Sequence, residues 1–365
     1  MPELVAVAFD HRGDAAVAAP GRAATTATTT DLADMEAAGT RWVWWSKQTA
    51  HRFLALGIHP ARCWDLAAVH RLLAGAWRAE PAWVWCAAHG LDPDGIPKPE
   101  PVDLFTQAVD TGDPEQPMLP GGYLRPEWAA GAWADTPQRT ARWAELALEV
   151  HQHQVAQVNA LDAVHAPLTA ASESAAELIC AELERDGLPF DRTVGEQIVA
   201  SFVGPRPQSA AEEVGQLAAL DAPVLEHLPA GVTFDLRSPD QVKSLLRRVG
   251  IEVPDTRAWR LEGLRDAHPI IEPLLRWRRA ERIRTTFGYP WIDEHVGDDG
   301  RLRGAWTGAD GAAGRMTATA GLHNMPAEMR PAVAAERGHV FVRADLGQIE
   351  PRVLAAVSGD DRLAQ

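Results

Sequence analysis

The chain has 365 residues, 46% of them apolar, and its 35 basic and 50 acidic side chains leave a net charge of −15. That length accommodates two or three domains with cores of their own, and no apolar run approaches a membrane span. The acidic balance excludes a protein that meets nucleic acid with its whole surface. The opening MPELVAVAFDHRGD has no basic region ahead of an apolar stretch, so no secretory signal is expected. Cys63, Cys86 and Cys180 form no CxxC pair and no disulfide framework, which points to a reducing cytoplasmic compartment.

The first part, to about Leu161, alternates strand-like and helical runs, the pattern of an α/β domain. Leu4–Asp10 reads as a first strand, Arg41–Trp45 (RWVWW) as a buried strand, and Ala61–Asp65 as a short strand before a helix over Leu66–Trp77. Pro81–Ala87 suits either a strand or a helix start. Leu91–Phe105 and Thr111–Pro126 are rich in Pro, Gly and Asp and read as surface loops. A long helix follows from about Pro137 to Leu161. From Thr169 to about Asp293 the sequence is almost wholly helical. A helix stop is expected at Asp186-Gly187, and a loop at Ser201–Ala210. Ser238 is placed as the N-cap of a helix over Pro239–Val249. A strong helix over Pro269–Thr286 carries Arg276, Arg278, Arg279, Arg282 and Arg284, with Glu281 opposing them.

The last stretch is HVFVRADLGQIEPRVLAAVSGDDRLAQ. Alternation over His339–Leu346 predicts a half-buried strand that delivers the Asp345 carboxylate at its end, and Ile349–Leu363 predicts a helix with Pro351 in its first turn. A carboxylate at a strand end, followed within a turn by Glu350 and Arg352, suits metal-assisted phosphoryl chemistry.

These residues resemble the first polymerase motif, motif A, of the family A (bacterial DNA polymerase I type) enzymes, whose pattern is close to DYSQIELRVLAHLSGD. The identities are Asp345, Gln348, Ile349, Glu350, Arg352, Val353, Leu354, Ala355, Ser358, Gly359 and Asp360; the departures include Leu346, Gly347 and Pro351. The similarity continues upstream in family order. Leu188–Arg192 sits at the thumb entry, Leu236, Ser238 and Gln241 fit LNSxxQL, and Ala267–Phe287 resembles the thumb-to-palm helix. Gly314-Arg315-Met316-Thr317 matches T-G-R-L-S, and Leu322-His323-Asn324-Met325-Pro326 matches L-Q-N-I-P.

The resemblance implies an α/β N-terminal domain of RNase H-like, 3′–5′ exonuclease-like fold (1–165), then a mostly helical thumb region (166–300). The beginning of a polymerase palm carrying motif A follows (301–365). It implies a DNA-directed DNA polymerase acting in replication and repair on primer–template DNA and deoxynucleoside triphosphates. It also implies a monomer with no membrane contact, in the bacterial cytoplasm at the nucleoid. Polymerisation of this kind uses two Mg²⁺ ions about 3.5–4 Å apart. Asp345 is the implied metal ligand and Glu350 the residue that bars a 2′-hydroxyl, with Gln348 and Ile349 beside the nucleotide; Arg352 holds the motif's shape. Arg315, His323 and Asn324 are implied at the minor groove near the primer end, and Arg278, Arg282 and Arg284 along the duplex backbone. The fingers and the partner aspartate of the family are expected beyond Gln365, so the 365-residue chain is expected to be inactive alone.

The family's proofreading site opens with D-x-E on the first strand and closes with Y-x-x-x-D on a helix. Here Asp10 is followed by His11 and Arg12, while Trp143 and Ala147 stand at the helix positions. A degenerate, inactive exonuclease domain is therefore expected, with Asp65 in a structural role. Two other readings are a non-catalytic duplex-binding module and a working 3′–5′ exonuclease. His151 and His153, two apart on a helix, point to different faces and are expected on the surface rather than at a metal. Trp42, Trp44, Trp45, Trp83 and Trp85 are expected in the core rather than as a stacking platform for single strands.

Overall fold

The computed structural model describes residues 3–75, 77–97, 112–229, 234–310 and 314–364. They form two compact units, residues 1–188 with 288–325, and 189–287 with 326–365.

The first unit is built on a five-stranded mixed sheet of β1 (Leu4–Phe9), β2 (Ala15–Ala18), β3 (Thr25–Ala27), β4 (Arg41–Trp44) and β5 (Cys63–Asp65), in the order β3-β2-β1-β4-β5. The first three are antiparallel; β4 runs parallel to both β1 and β5. Both faces are covered, which is why β1 and β4 read as continuous apolar runs. Val5, Val7 and Phe9 share one face with Trp42, Trp44 and Phe53, whereas Ala6, Ala8, Val43 and Trp45 pack on the other with Trp143 and Ala147. The tight β1–β2 turn is held by Asp10, whose Oδ1 accepts from the backbone of Arg12 (2.8 Å) and Asp14 (2.9 Å), with Gly13 at φ 93°.

Around the sheet lie α1 (Thr29–Ala37), α2 (Lys47–Ala55), α3 (Leu66–Ala74), α4 (Pro81–Ala88), α5 (Pro126–Ala129), α6 (Pro137–Ala160) and α7 (Ala166–Asp186). The Pro81 run is thus a helix, its proline preset at the first position. Asp65 caps α3 by accepting from Ala68 N (2.9 Å), and its other oxygen takes the Trp44 indole N–H (2.9 Å). It is fully buried, and that burial pushes its pKa up to about 7. The five tryptophans of the expected core are buried apart from Trp83, which is half-buried. His151 departs from its expected surface position. It is buried edge-on against Trp64, its Nδ1 lacks a partner, and desolvation together with Arg41 lowers its pKa to about 4. The long helix turns more of its circumference inward than its polar sequence suggests.

α7 ends at Gly187 (φ 66°), and the chain passes through β6 (Leu188–Pro189) into the second unit. There α8 (Arg192–Val203), α9 (Ala210–Leu225), α10 (Pro239–Arg248), α11 (Ala258–Glu262) and α12 (Ile271–Phe287) enclose an apolar core of Leu236, Val242, Leu245, Leu246, Ile271 and Leu274, among others. Ser238 caps α10 as expected, accepting from Gln241 N. The chain then returns to the first unit with α13 (Tyr289–His295), β7 (Arg301–Leu302) and the hairpin β8 (Trp306–Asp310) and β9 (Arg315–Ala318).

The terminal strand is not formed. Residues 339–346 are irregular and exposed, and only α14 (Ile349–Ser358) and α15 (Asp361–Ala364) follow. A strand requires an edge to exchange backbone hydrogen bonds with, and among the described residues none pairs with this segment. Alternation sets which side chains would share a face; it does not supply the neighbour.

Candidate nucleic-acid and nucleotide site

In the second unit, α12 buries Ile271, Leu274, Trp277, Ala280 and Ile283 and turns its arginines outward. Trp277 is a packing residue that donates to Asp221 (2.6 Å), with the Arg237 guanidinium 5.7 Å from its ring centre. Arg278 is half-buried against Thr256, donating to its carbonyl and to its hydroxyl (2.9 Å), and desolvation lowers its pKa. Arg284 makes a two-pronged bond to Glu281, 2.9 Å on each side, and Glu281 also takes Arg237 at 3.0 Å. Burial alone would raise the Glu281 pKa, but these two cations bring it below its ordinary value. Arg279 lies 3.5 Å from Glu328, and Arg282 is exposed. A groove of about 600 Å³ runs along this face, lined by Arg278, Arg279 and Arg282 together with Glu281 and Glu328. Arg278 and Arg282, four apart, share a side of the helix, whereas Arg284 is directed toward its glutamate. The local acids that temper this basic helix were only partly visible as Glu281 in the sequence.

In the first unit, Gly314 (φ 59°) precedes Arg315 at the start of β9. Arg315 is exposed, and Asp310 faces it across the ladder. The strand runs into Thr319 and then a short turn of 3₁₀ helix at Leu322–Asn324. His323 Nδ1 accepts from Ala318 N (3.2 Å), and Nε2 lies 3.1 Å from the Asn324 amide. The hairpin end therefore gathers His323 and Asn324 at the foot of β9, both exposed and in contact with each other.

Asp345 stands exposed in the irregular segment. Gln348 adopts a left-handed conformation (φ 56°, ψ 41°) at the start of α14, a strained state for a residue with a side chain. It turns the chain sharply, so that Ile349 and Glu350 begin the helix one turn from Asp345. Arg352 N closes that turn on the Gln348 carbonyl (3.2 Å). Asp345, Gln348, Ile349, Glu350 and Arg352 are thus local neighbours on one exposed turn. Among the described residues Asp345 joins no cluster of three or more metal-ligating side chains. One carboxylate can be a ligand of a two-ion centre but does not build that centre by itself, and no step of phosphoryl transfer follows from it here.

A sequence model of DNA polymerase family A matches residues 208–365, a span that holds the basic helix, the hairpin end and the Asp345 turn. Over that span the chain is similar to DNA polymerase family A. It is 34% identical over 169 residues to the thermostable DNA polymerase I of Thermus aquaticus, covering 42% of this chain and 20% of that protein. To the DNA polymerase I of Deinococcus radiodurans it is 27% identical over 284 residues, covering 72% of this chain and 27% of that one. The chain thus spans about a quarter or less of these relatives' length. Its fold is also similar to the polymerase domain of Pol1 from M. smegmatis, solved with DNA primer-template and dNTP, with a TM-score of 0.60 at 21% identity over 98% of this chain and 60% of that one. A mixed sheet with many helices fits such a polymerase fragment.

Outside the family A match, the first unit has a cavity of about 630 Å³ at the C-terminal ends of β1 and β4. Crevices at such strand ends commonly hold ligands in α/β sheets. Asp10 and Glu80 are the carboxylates of its lining, set among Arg52, Arg71, Trp45 and Trp143. Asp10 is engaged in its turn, Arg71 is paired with Glu177 at 2.7 Å, and Ala147 is fully buried. Sequence reasoning missed this pocket because its polar residues come from separated turns and helices with no common motif.

Proposed function

We propose that this chain is part of a template-directed DNA polymerase that extends a primer with deoxynucleoside triphosphates. The observation that carries it is the eleven-residue identity with motif A from Asp345 to Asp360, inside the span that the family model matches. In this reading Asp345 is a ligand of the catalytic Mg²⁺ ions, which supply charge stabilisation for the attacking and leaving oxygens when bound. Glu350 walls off a 2′-hydroxyl, with Gln348 and Ile349 against the nucleotide and Arg352 holding the turn. Arg315, His323 and Asn324 check pair geometry in the minor groove, where every base pair presents acceptors. The groove along α12 supports a duplex-backbone role for Arg278 and Arg282; Arg284, bonded to Glu281, is assigned the same role on the motif resemblance alone. Residues 1–165 serve as an exonuclease-like scaffold without hydrolysis, a reading supported by the β3-β2-β1-β4-β5 order and by a strand-end cavity that holds two carboxylates, Asp10 and Glu80, of which Asp10 is engaged in its own turn. Residues 166–300 form the thumb region and 301–365 the start of the palm, in a monomer of the bacterial cytoplasm at the nucleoid.

Primer–template binding and primer extension by the purified 365-residue chain test this reading together. Binding should weaken steeply with salt, and the triple variant Arg278→Ala, Arg282→Ala, Arg284→Ala should show a shallower slope, by about 0.9 for each phosphate that is no longer neutralised. Equal binding by the folded triple variant removes the backbone role. No extension is expected; extension that disappears on Asp345→Ala would overturn the inactivity of this chain alone.

A further inference from the structure

His153, dismissed as a metal ligand beside His151, has a different neighbour. Glu149 and His153 lie four apart on one side of α6, and His89 closes the end of α4 opposite them. One ligand atom from each lies within 4.8 Å of the other two. His89 Nδ1 is 2.9 Å from the Trp85 carbonyl oxygen, which can only accept, so Nδ1 carries a proton. Nε2 then faces Glu149 Oε1 at 3.1 Å. In a neutral ring that contact sets a lone pair against a carboxylate oxygen, which requires a cation or a second proton between them. The His153 ring, 4.5 Å away between centroids, offers a third ligand.

The neighbours hold this geometry in place. Trp85 stacks on the His89 ring (3.8 Å, 26°), and Gln157 Nε2 donates to the Ala87 carbonyl (3.1 Å), fixing the end of α4 to α6. A backbone carbonyl on the far nitrogen is how proteins orient a metal-binding imidazole. We propose that His89, Glu149 and His153 form a site for a divalent transition metal, suited to Zn²⁺, that clips the end of α4 to α6. Tetrahedral Zn²⁺ with bonds of about 2.0–2.1 Å sets its ligands a little over 3 Å apart, near the His89–Glu149 separation already present. His153 is exposed and closes the remaining distance by rotating its side chain. A water completes the shell. Two imidazoles select Zn²⁺ over Mg²⁺, which prefers all-oxygen ligands, so the site is separate from the chemistry at Asp345.

The test is titration of Zn²⁺ into the chelator-treated full chain at neutral pH with millimolar Mg²⁺ present, followed by calorimetry and by thermal denaturation. One equivalent should bind and raise Tm, and Co²⁺ in its place should give the visible bands of a tetrahedral site. His153→Ala should weaken binding at least tenfold without disturbing the apo fold, since that side chain is exposed; His89→Ala and Glu149→Gln should do the same. His165→Ala, on the separate α7 terminus, should leave it unchanged. Because metal and protons compete for the same nitrogens, affinity should fall on acidification. No binding, or binding that His153→Ala leaves intact, overturns the site. Neither outcome touches the polymerase reading, which needs no metal here.

Discussion

The strand β4 and the segment 339–346 are two runs that the sequence marks as strands, and only one becomes a strand. Arg41–Trp44 lies between β1 and β5 with Trp42 and Trp44 fully buried, whereas Val340 and Val342 are 82% and 90% exposed. Their intrinsic preferences are alike; their neighbours differ. β-propensity is a statement about fitting a half-buried pleated surface, and it is realised where ladders on either side and helices above and below are present. The motif A identities run from Asp345 to Asp360, where every residue except the half-buried Ala355 is exposed, so chemical identity and local stability are written by different residues. If that contrast holds, the same kind of substitution should cost several kcal/mol in one region and almost nothing in the other.

The largest effect is expected at Trp143. It is buried in a stack with Trp45 (4.2 Å) and Trp133 (5.4 Å) and holds α6 onto the sheet. Trp143→Ala should destabilise the first unit by about 3–5 kcal/mol through lost burial and the cavity left behind. Urea denaturation followed by tryptophan fluorescence measures it. A loss under about 1 kcal/mol would mean that the cavity at the ends of β1 and β4 already lets this side of the core rearrange.

A pH-dependent effect is expected at Asp65. Its carboxyl ionises at about 7 in the folded chain, against an ordinary value of 3.8, because burial penalises the charge more than Ala68 and Trp44 stabilise it. Between those values the folded state holds a proton that the unfolded state has released. Its contribution is therefore complete below about pH 4 and is lost as pH rises to about 7, at up to about 1.4 kcal/mol per pH unit. Asp65→Asn should lower stability at pH 4, since the amide cannot accept from both N–H groups. It should also flatten the decline between pH 5 and 7. Denaturation midpoints across that range decide it, and an unchanged slope would place the titration elsewhere.

Much of the first unit was legible because its signals are local. RWVWW, the Asp65 cap and the long helix after Pro137 each carry their own pattern, as does Ser238 ahead of α10. β2 was not, since AAVA is a weak strand signal that becomes a strand only by lying beside β1. His151 misled because its burial depends on Trp64 from another element. The α12 arginines were legible as a cluster, but the Arg284–Glu281–Arg237 arrangement joins residues far apart in sequence. The hardest feature was the His89–Glu149–His153 group, sixty residues apart along the chain and visible only once α4 and α6 meet. The motif A residues were legible as a family signature, yet nothing in their alternation shows that an edge is lacking among the described residues.

The smallest effect is expected at Val342, where the contrast can be broken most directly. At 90% exposure its side chain has almost no apolar area left to lose, and no ladder bond among the described residues depends on it. Val342→Asp should therefore change the stability of the chain by less than about 0.5 kcal/mol, the range of ordinary surface substitutions. The same change at Val43, fully buried between β1 and β5, would place an unpaired carboxylate in the core and should unfold the sheet. Hydrogen exchange offers the parallel readout: amides of 340–346 should exchange within the dead time while those of β1 and β4 are protected by the global stability. A loss of more than about 1.5 kcal/mol on Val342→Asp, or slow exchange at Phe341 and Arg343, would mean that this segment pairs in solution. Asp345 would then sit on a formed strand, as its sequence pattern alone suggests.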